Sequence, residues 1–102
     1  MDGITLPRAN TSVVQSFSNL NGTSPSFILP YGYYYLTYKV ADTNVYTTVT
    51  VNDLVNPGNV LLTANTPMGS SGIPTGGMFQ CLGNGPINIV TSGPTLEVTV
   101  EG

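Results

Sequence analysis

Few residues in this sequence carry groups that do chemistry near neutral pH. There are five carboxylates (Asp2, Asp42, Asp53, Glu97 and Glu101), two cations (Arg8 and Lys39), one thiol (Cys81) and no histidine. Without imidazole the commonest general base, metal ligand and triad member is missing, which removes Ser-His-Asp, Cys-His and zinc-hydrolase arrangements. Cys81, within MFQCL, then reads as a small buried hydrophobe, because nothing is present to activate it as a nucleophile. Glu97 and Glu101 fall on one face of a strand, ~13 Å apart at ~3.3 Å per residue, wider than the roughly 6.5–9.5 Å of an inverting glycosidase pair. They read as a solvated face. Asp42 and Asp53 sit in separate turns without the ligand density of a calcium loop, and read as turn formers.

Two further patterns resolve the same way. The stretch Gly69 to Gly77 is rich in glycine but has no lysine and no helix after it, so it reads as a surface loop and not a phosphate cradle. Asn10-Thr11-Ser12 and Asn21-Gly22-Thr23 match the N-glycosylation pattern, which matters only in a secreted chain. MDGITLPR offers neither a basic leader nor an apolar run, and no span of about 18 apolar residues occurs anywhere. The expectation is a chain made in a cytoplasm, without catalysis, cofactor or metal.

Composition narrows the partners. At 102 residues the chain has room for one domain and one core. Charged residues make up 7% of it, against about 25% in an average soluble domain. Two cations separated by thirty positions cannot neutralise a phosphate backbone or hold an anionic bilayer, so neither nucleic acid nor membrane is an expected partner. One cysteine excludes an internal disulfide, leaving packing and self-association as the sources of stability. A surface of Ser, Thr, Asn and Gly also opposes self-association weakly, since like charges are scarce.

The elements that would position any site are strands. The densest run of aromatic and β-branched residues is Tyr31 to Val51, YGYYYLTYKVADTNVYTTVTV. Period two puts Tyr34, Leu36, Tyr38 and Val40 on one face and Tyr33, Tyr35, Thr37 and Lys39 on the other. After Asp42-Thr43-Asn44, Val45, Val49 and Val51 alternate against Tyr46, Thr48 and Thr50, and the whole stretch reads as a hairpin.

Around it, Met1 to Thr11 reads as an extended arm, with Gly3 and Pro7 resisting helix. SVVQSF from Ser12 is a first strand with Phe17 on the side of Val13. SNLNGTSP breaks it, and SFIL, Ser26 to Leu29, is a short second strand. Asn52-Asp53 and Asn56-Pro57-Gly58 signal turns, and NVLLTA follows as a strand. Thr66 to Gly77 is the longest irregular stretch, MFQCL returns to the sheet at Met78, and INIV is another strand. In TLEVTVE, Leu96, Val98 and Val100 face a core while Thr95, Glu97, Thr99 and Glu101 face water. About eight short strands at intervals of about 8 to 12 residues, with no helical period, give an all-β class. Residues 12–102 are expected to form a single antiparallel β-sandwich or jelly-roll-like domain.

The remaining signal is six tyrosines, a residue that supplies interfaces with rigid area and a polar tip. Tyrosine on both faces of residues 33 to 38 makes Tyr33, Tyr34, Tyr35, Tyr38 and Tyr46, with Pro7 and Arg8 of the arm, the candidate interface. With SFILPYGYYYLTYKV, the Gly/Ser/Pro loop and the closing INIVTSGPTLEVTVEG, the chain resembles small β-sandwich virion proteins of tailed bacteriophages, capsid decoration or cement proteins above all. That resemblance implies a non-enzymatic homo-oligomer, commonly a trimer, that binds the phage major capsid protein on the capsid exterior after synthesis in the host bacterial cytoplasm. The alternative is a receptor- or glycan-binding module of a tail fibre, for which tyrosines and the Asp42 to Asn44 loop would serve.

Overall fold

The computed structural model describes residues 12–40, 47–56, 58–66 and 75–102. Eight strands run through them: β1 (Val13–Ser18), β2 (Gly22–Thr23), β3 (Gly32–Val40), β4 (Thr47–Asp53), β5 (Val60–Thr66), β6 (Thr75–Cys81), β7 (Ile87–Thr91) and β8 (Thr95–Glu101). They form two four-stranded sheets, ordered β1-β8-β3-β6 and β2-β7-β4-β5, and every pairing is antiparallel.

The order has a simple origin. Strands β1 and β8, β2 and β7, β3 and β6, and β4 and β5 are all paired, as successive lengths of one two-stranded ribbon whose tip is the turn between β4 and β5. Rolling the ribbon up brings β8 against β3 and β7 against β4, and these two further pairings complete the sheets. This is the jelly-roll arrangement of two Greek keys, the more specific of the two expected architectures.

The core lies between the sheets. From the first sheet come Tyr34, Leu36, Tyr38 and Val40 of β3, Phe79 and Cys81 of β6, and Val98 and Val100 of β8; from the second come Val49, Val51, Ala64, Ile87 and Ile89. Strand β3 keeps its period-two alternation over its whole length, as its sequence predicts. At the free margins β5 and β6 lie beside each other, and a Cβ on Gly77 would stand 3.3 Å from Leu62 Cδ1. A Cβ on Gly76 would fall 1.8 Å from the Leu36 carbonyl oxygen, so the β3–β6 approach requires glycine there.

Several expectations are corrected. Strands β3 and β4 do not form a hairpin: they lie in opposite sheets, and the chain crosses from one to the other between residues 40 and 47. Alternation marks which face a residue occupies but not which strand lies beside it. SFIL is not a strand; Phe27 makes one bridge to Ile87, while the ladder on the side of β7 away from β4 is made by Gly22–Thr23, inside the segment expected to be a break. Gly22 does adopt positive φ, at 102°. Strand β6 begins at Thr75, not Met78, so Gly76 and Gly77 belong to the ladder and not to the loop.

In β8 the pairing slips between Lys39–Glu97 and Val40–Thr95, leaving Leu96 as the extra residue of a bulge. The bulge turns Leu96 outward, 47% exposed, and buries Thr95, the reverse of the expected facing. A second slip, between Val13 and Gln15 of β1, leaves Val13 exposed while Phe17 packs on the core. Asn52 and Asp53, expected in a turn, end β4, and Asp53 is buried. The arm expected over residues 1–11 lies outside the described residues.

Candidate interaction surface

Strand β3 separates the candidate tyrosines. Tyr34 and Tyr38 point inward and belong to the core, so they are removed from the candidate interface. Tyr34 stacks on Phe79 with ring centroids 5.8 Å apart and donates its hydroxyl hydrogen to Pro30 O at 2.9 Å. Burial, together with the nearby Cys81, pushes its pKa above the ordinary tyrosine value. Tyr38 is deeper still and shares a hydrogen bond with the Thr66 hydroxyl. Both hydroxyls follow the rule that a buried phenol finds a partner.

Tyr33 and Tyr35 stand on the outer face of the first sheet. Tyr33 is directly opposite Gln80 of β6; Tyr35 is opposite Met78 of β6 on one side and Glu101 of β8 on the other. Tyr31, just before β3, joins them: Gln80 donates from Nε2 to the Tyr31 hydroxyl at 2.7 Å, fixing amide and ring together. Tyr31, Tyr33 and Met78 are more than half exposed. The result is a strip of three rings, one thioether and one amide on a rigid ladder. Farther along the same face Thr37 opposes Thr99, and Lys39 opposes Glu97. Tyr46, Pro7 and Arg8 lie outside the described residues.

Tyr31, Met78 and Gln80 lie outside the interface that the sequence predicts. Their membership depends on the β3–β6 register, which joins positions more than forty residues apart, and the only local hint was that Tyr31 opens the aromatic run.

The other chemistry-bearing groups have structural roles. Cys81 is buried and donates its thiol hydrogen to Leu29 O at 3.4 Å. Asp53 Oδ1 accepts from Val55 N at 2.9 Å and Asn56 N at 3.4 Å, and Oδ2 accepts from the Asn59 amide at 3.4 Å. These bonds, the Val55 N–H foremost, hold its carboxyl below the usual aspartate range, and they close the β4–β5 turn. Asp53 is thus a turn former, as expected, though it acts from inside the sandwich. Glu97 and Glu101 share the outer face of the first sheet, again as expected. Among the described residues no three His, Cys, Asp or Glu side chains are grouped to hold a metal. No helix among the described residues is long and apolar enough to cross a membrane.

What the surface offers is contact area of defined shape: flat rings, hydrogen-bonding tips and little charge. No protein-family model matches the chain, and no curated protein or solved structure matches it significantly.

Proposed function

We propose that this chain is a non-enzymatic structural protein of a bacteriophage virion, a decoration or cement protein that self-associates, as a trimer, and ties together neighbouring copies of the major capsid protein on the capsid exterior. The observation that carries the reading is the outer strip of Tyr31, Tyr33, Tyr35, Met78 and Gln80 on a small jelly roll with very few charges. Tyrosine and methionine are enriched where proteins meet: tyrosine buries large area at low cost in side-chain freedom, and methionine adapts its flexible thioether to the facing surface. Sparse charge suits a surface crowded with identical copies, since repulsion between them stays small. Each contact can be weak, because a lattice presents several to one oligomer and raises the effective concentration. Jelly rolls occur in viral capsid proteins and also in lectins and cupins, so the fold supports the reading by analogy alone.

The test is rupture of particles by heat or denaturant with and without the protein. Particles carrying it are expected to break at a higher threshold, and Tyr33→Ala combined with Met78→Ala is expected to lower its occupancy. The second reading, a glycan- or receptor-binding module of a tail fibre, is favoured by exposed rings beside an amide, which suit a sugar face and its hydroxyls. Equal rupture thresholds, together with binding of the isolated protein to host cells, would decide for it.

A further inference from the structure

Three connections meet at one end of the sandwich: residues 24–31 between β2 and β3, 54–56 and 58–59 between β4 and β5, and 82–86 between β6 and β7. The register requires it, because Gly32 is opposite Cys81, Asp53 is opposite Ile87, and Phe27 bridges to Ile87. The loops are tied to one another. Leu54 N donates to Pro86 O at 3.1 Å, and Cβ atoms built on Gly83 and Gly85 would collide with Tyr31 and Val55. This end exposes Ile28, Tyr31, Leu54, Val55, Val60 and Leu82, from 40% for Leu54 to 69% for Ile28. The three connections contain no charged residue, and the neighbouring carboxylate, Asp53, is spent on its own turn.

We infer that this loop end is the surface through which copies of this chain meet. It rests on the self-association part of the reading above and not on the capsid part, and it places the contact between copies at the loop end, which shares Tyr31 with the strip, leaving Tyr33, Tyr35 and Met78 outside that contact. Charge decides the occupant. A charged partner would lose hydration here and find no counter-charge. A bilayer-seated loop set would be flanked by lysine or arginine, whereas the described cation, Lys39, lies toward the far end of β3. A second copy brings the same uncharged, apolar surface, and joining the ends keeps Glu97 of each copy away from the other.

The area is of the right order: six such side chains present on the order of 500 Å² of apolar surface, and with their neutral rim of Asn56, Asn59 and Asn84 approach the roughly 800 Å² per partner of a stable interface. Because the loops are already bonded to one another, little freedom is lost on contact. Two ends on a twofold axis or three around a threefold bury the same residues.

The experiment is sedimentation equilibrium of the wild type and of two charge-insertion variants. One carries Ile28→Glu and Leu82→Glu at the loop end; the other carries Tyr33→Glu on the outer face. Wild type is expected to show a mass of two or three chains at about 100 µM. The loop-end variant is expected to dissociate with at least a tenfold weaker constant, and Tyr33→Glu to match wild type. Should Ile28→Glu with Leu82→Glu lose the β far-UV spectrum, Ile28→Ser with Leu82→Ser gives the same readout without a charge. A monomeric wild type, or an oligomer indifferent to the loop-end variants, overturns the inference. So does a monomer whose capsid binding is lost in the loop-end variant, which would give this surface to the capsid. Self-association through the loop end without any capsid binding would instead leave the inference standing and remove the capsid reading.

Discussion

The two ends of the sandwich distribute polarity in opposite ways. At the loop end the interior is mostly apolar, with Leu29, Tyr34, Phe79 and Ile87 beside the buried Ser24 and Asp53, and the exterior is apolar too. At the other end the interior carries a girdle of buried threonines, Thr47, Thr66, Thr91 and Thr95, of which Thr66 meets the Tyr38 hydroxyl. The girdle is stable because most of its hydroxyls are spoken for. Thr95 Oγ1 donates to Leu20 O at 2.7 Å, Thr91 Oγ1 accepts from Gly22 N at 3.0 Å, and Thr66 is bonded to Tyr38. Only Thr47 Oγ1 in the girdle is without a partner. The contrast teaches that depth does not sort residues here. Hydrogen-bond satisfaction sets what the interior accepts.

The largest effects should come from the apolar interior and vanish a few residues away. Ile87→Ala, in the core at the loop end, is expected to cost about 3 kcal/mol in urea unfolding, whereas Ile28→Ala at the same end, measured on protein dilute enough to be dissociated, is expected to stay within about 0.5 kcal/mol. Equal costs would mean that Ile28 packs as deeply as Ile87 and that the outer apolar surface is no surface. Within β8, Val98→Ala is expected to cost about 2 kcal/mol and Leu96→Ala far less, because the bulge puts only the former inside. A reversed order would place the bulge elsewhere.

At the threonine end the sign of the effect should depend on the partner. Thr66→Val removes a bond to Tyr38 and is expected to cost about 1 kcal/mol; Thr47→Val removes an unpartnered buried hydroxyl and is expected to be neutral or to raise the melting temperature slightly. Both losing stability alike would show that the Thr47 hydroxyl is bonded after all.

The smallest effect is confined to acid. Asp53 has a folded pKa below its unfolded value, so its contribution is complete above the ordinary carboxylate pKa of about 4 and is lost as pH falls through the lower folded value. Asp53→Asn should therefore be less stable than wild type at neutral pH and converge with it as pH falls through the lowered folded pKa. A gap that persists unchanged in acid would assign the effect to shape and not to charge.

Much of this was legible. The alternation of Tyr34, Leu36, Tyr38 and Val40 against Tyr33, Tyr35, Thr37 and Lys39 marked two faces without saying which is the core, the absence of helical period marked the class, and Asp53 marked a turn. What remained hidden was adjacency. Residues 31–51 have the same pattern whether they fold back as a hairpin or cross between sheets, and only the β3–β6 and β4–β7 ladders decide it. Leu96 carries no local mark of a bulge, because the slip arises where β8 must match β3. The candidate surface was half legible for the same reason. The run of tyrosines was visible, but which of them face outward beside Gln80 and Met78 depends on a partner strand forty residues away. Ile28, Leu54 and Leu82 each sit alone in turn-rich sequence, and only the rolled ribbon assembles them.

The placement of β8 also bears on how the chain is made. This strand is the seam of its sheet, lying between β1 and β3, and Ser12 and Gly102 exchange backbone hydrogen bonds at 3.3 and 3.1 Å beside it. During synthesis β1 and β3 emerge long before β8 exists, so the first sheet has no middle until residue 101 has cleared the ribosome. Until then the backbones of β1 and β3 present two open slots for whatever strand is nearest, and in a cell producing many copies that strand belongs to another nascent chain. Strand exchange between chains that lack β8 is therefore the misfolding hazard built into this topology, and rapid docking of β8 between β1 and β3 is the natural defence against it.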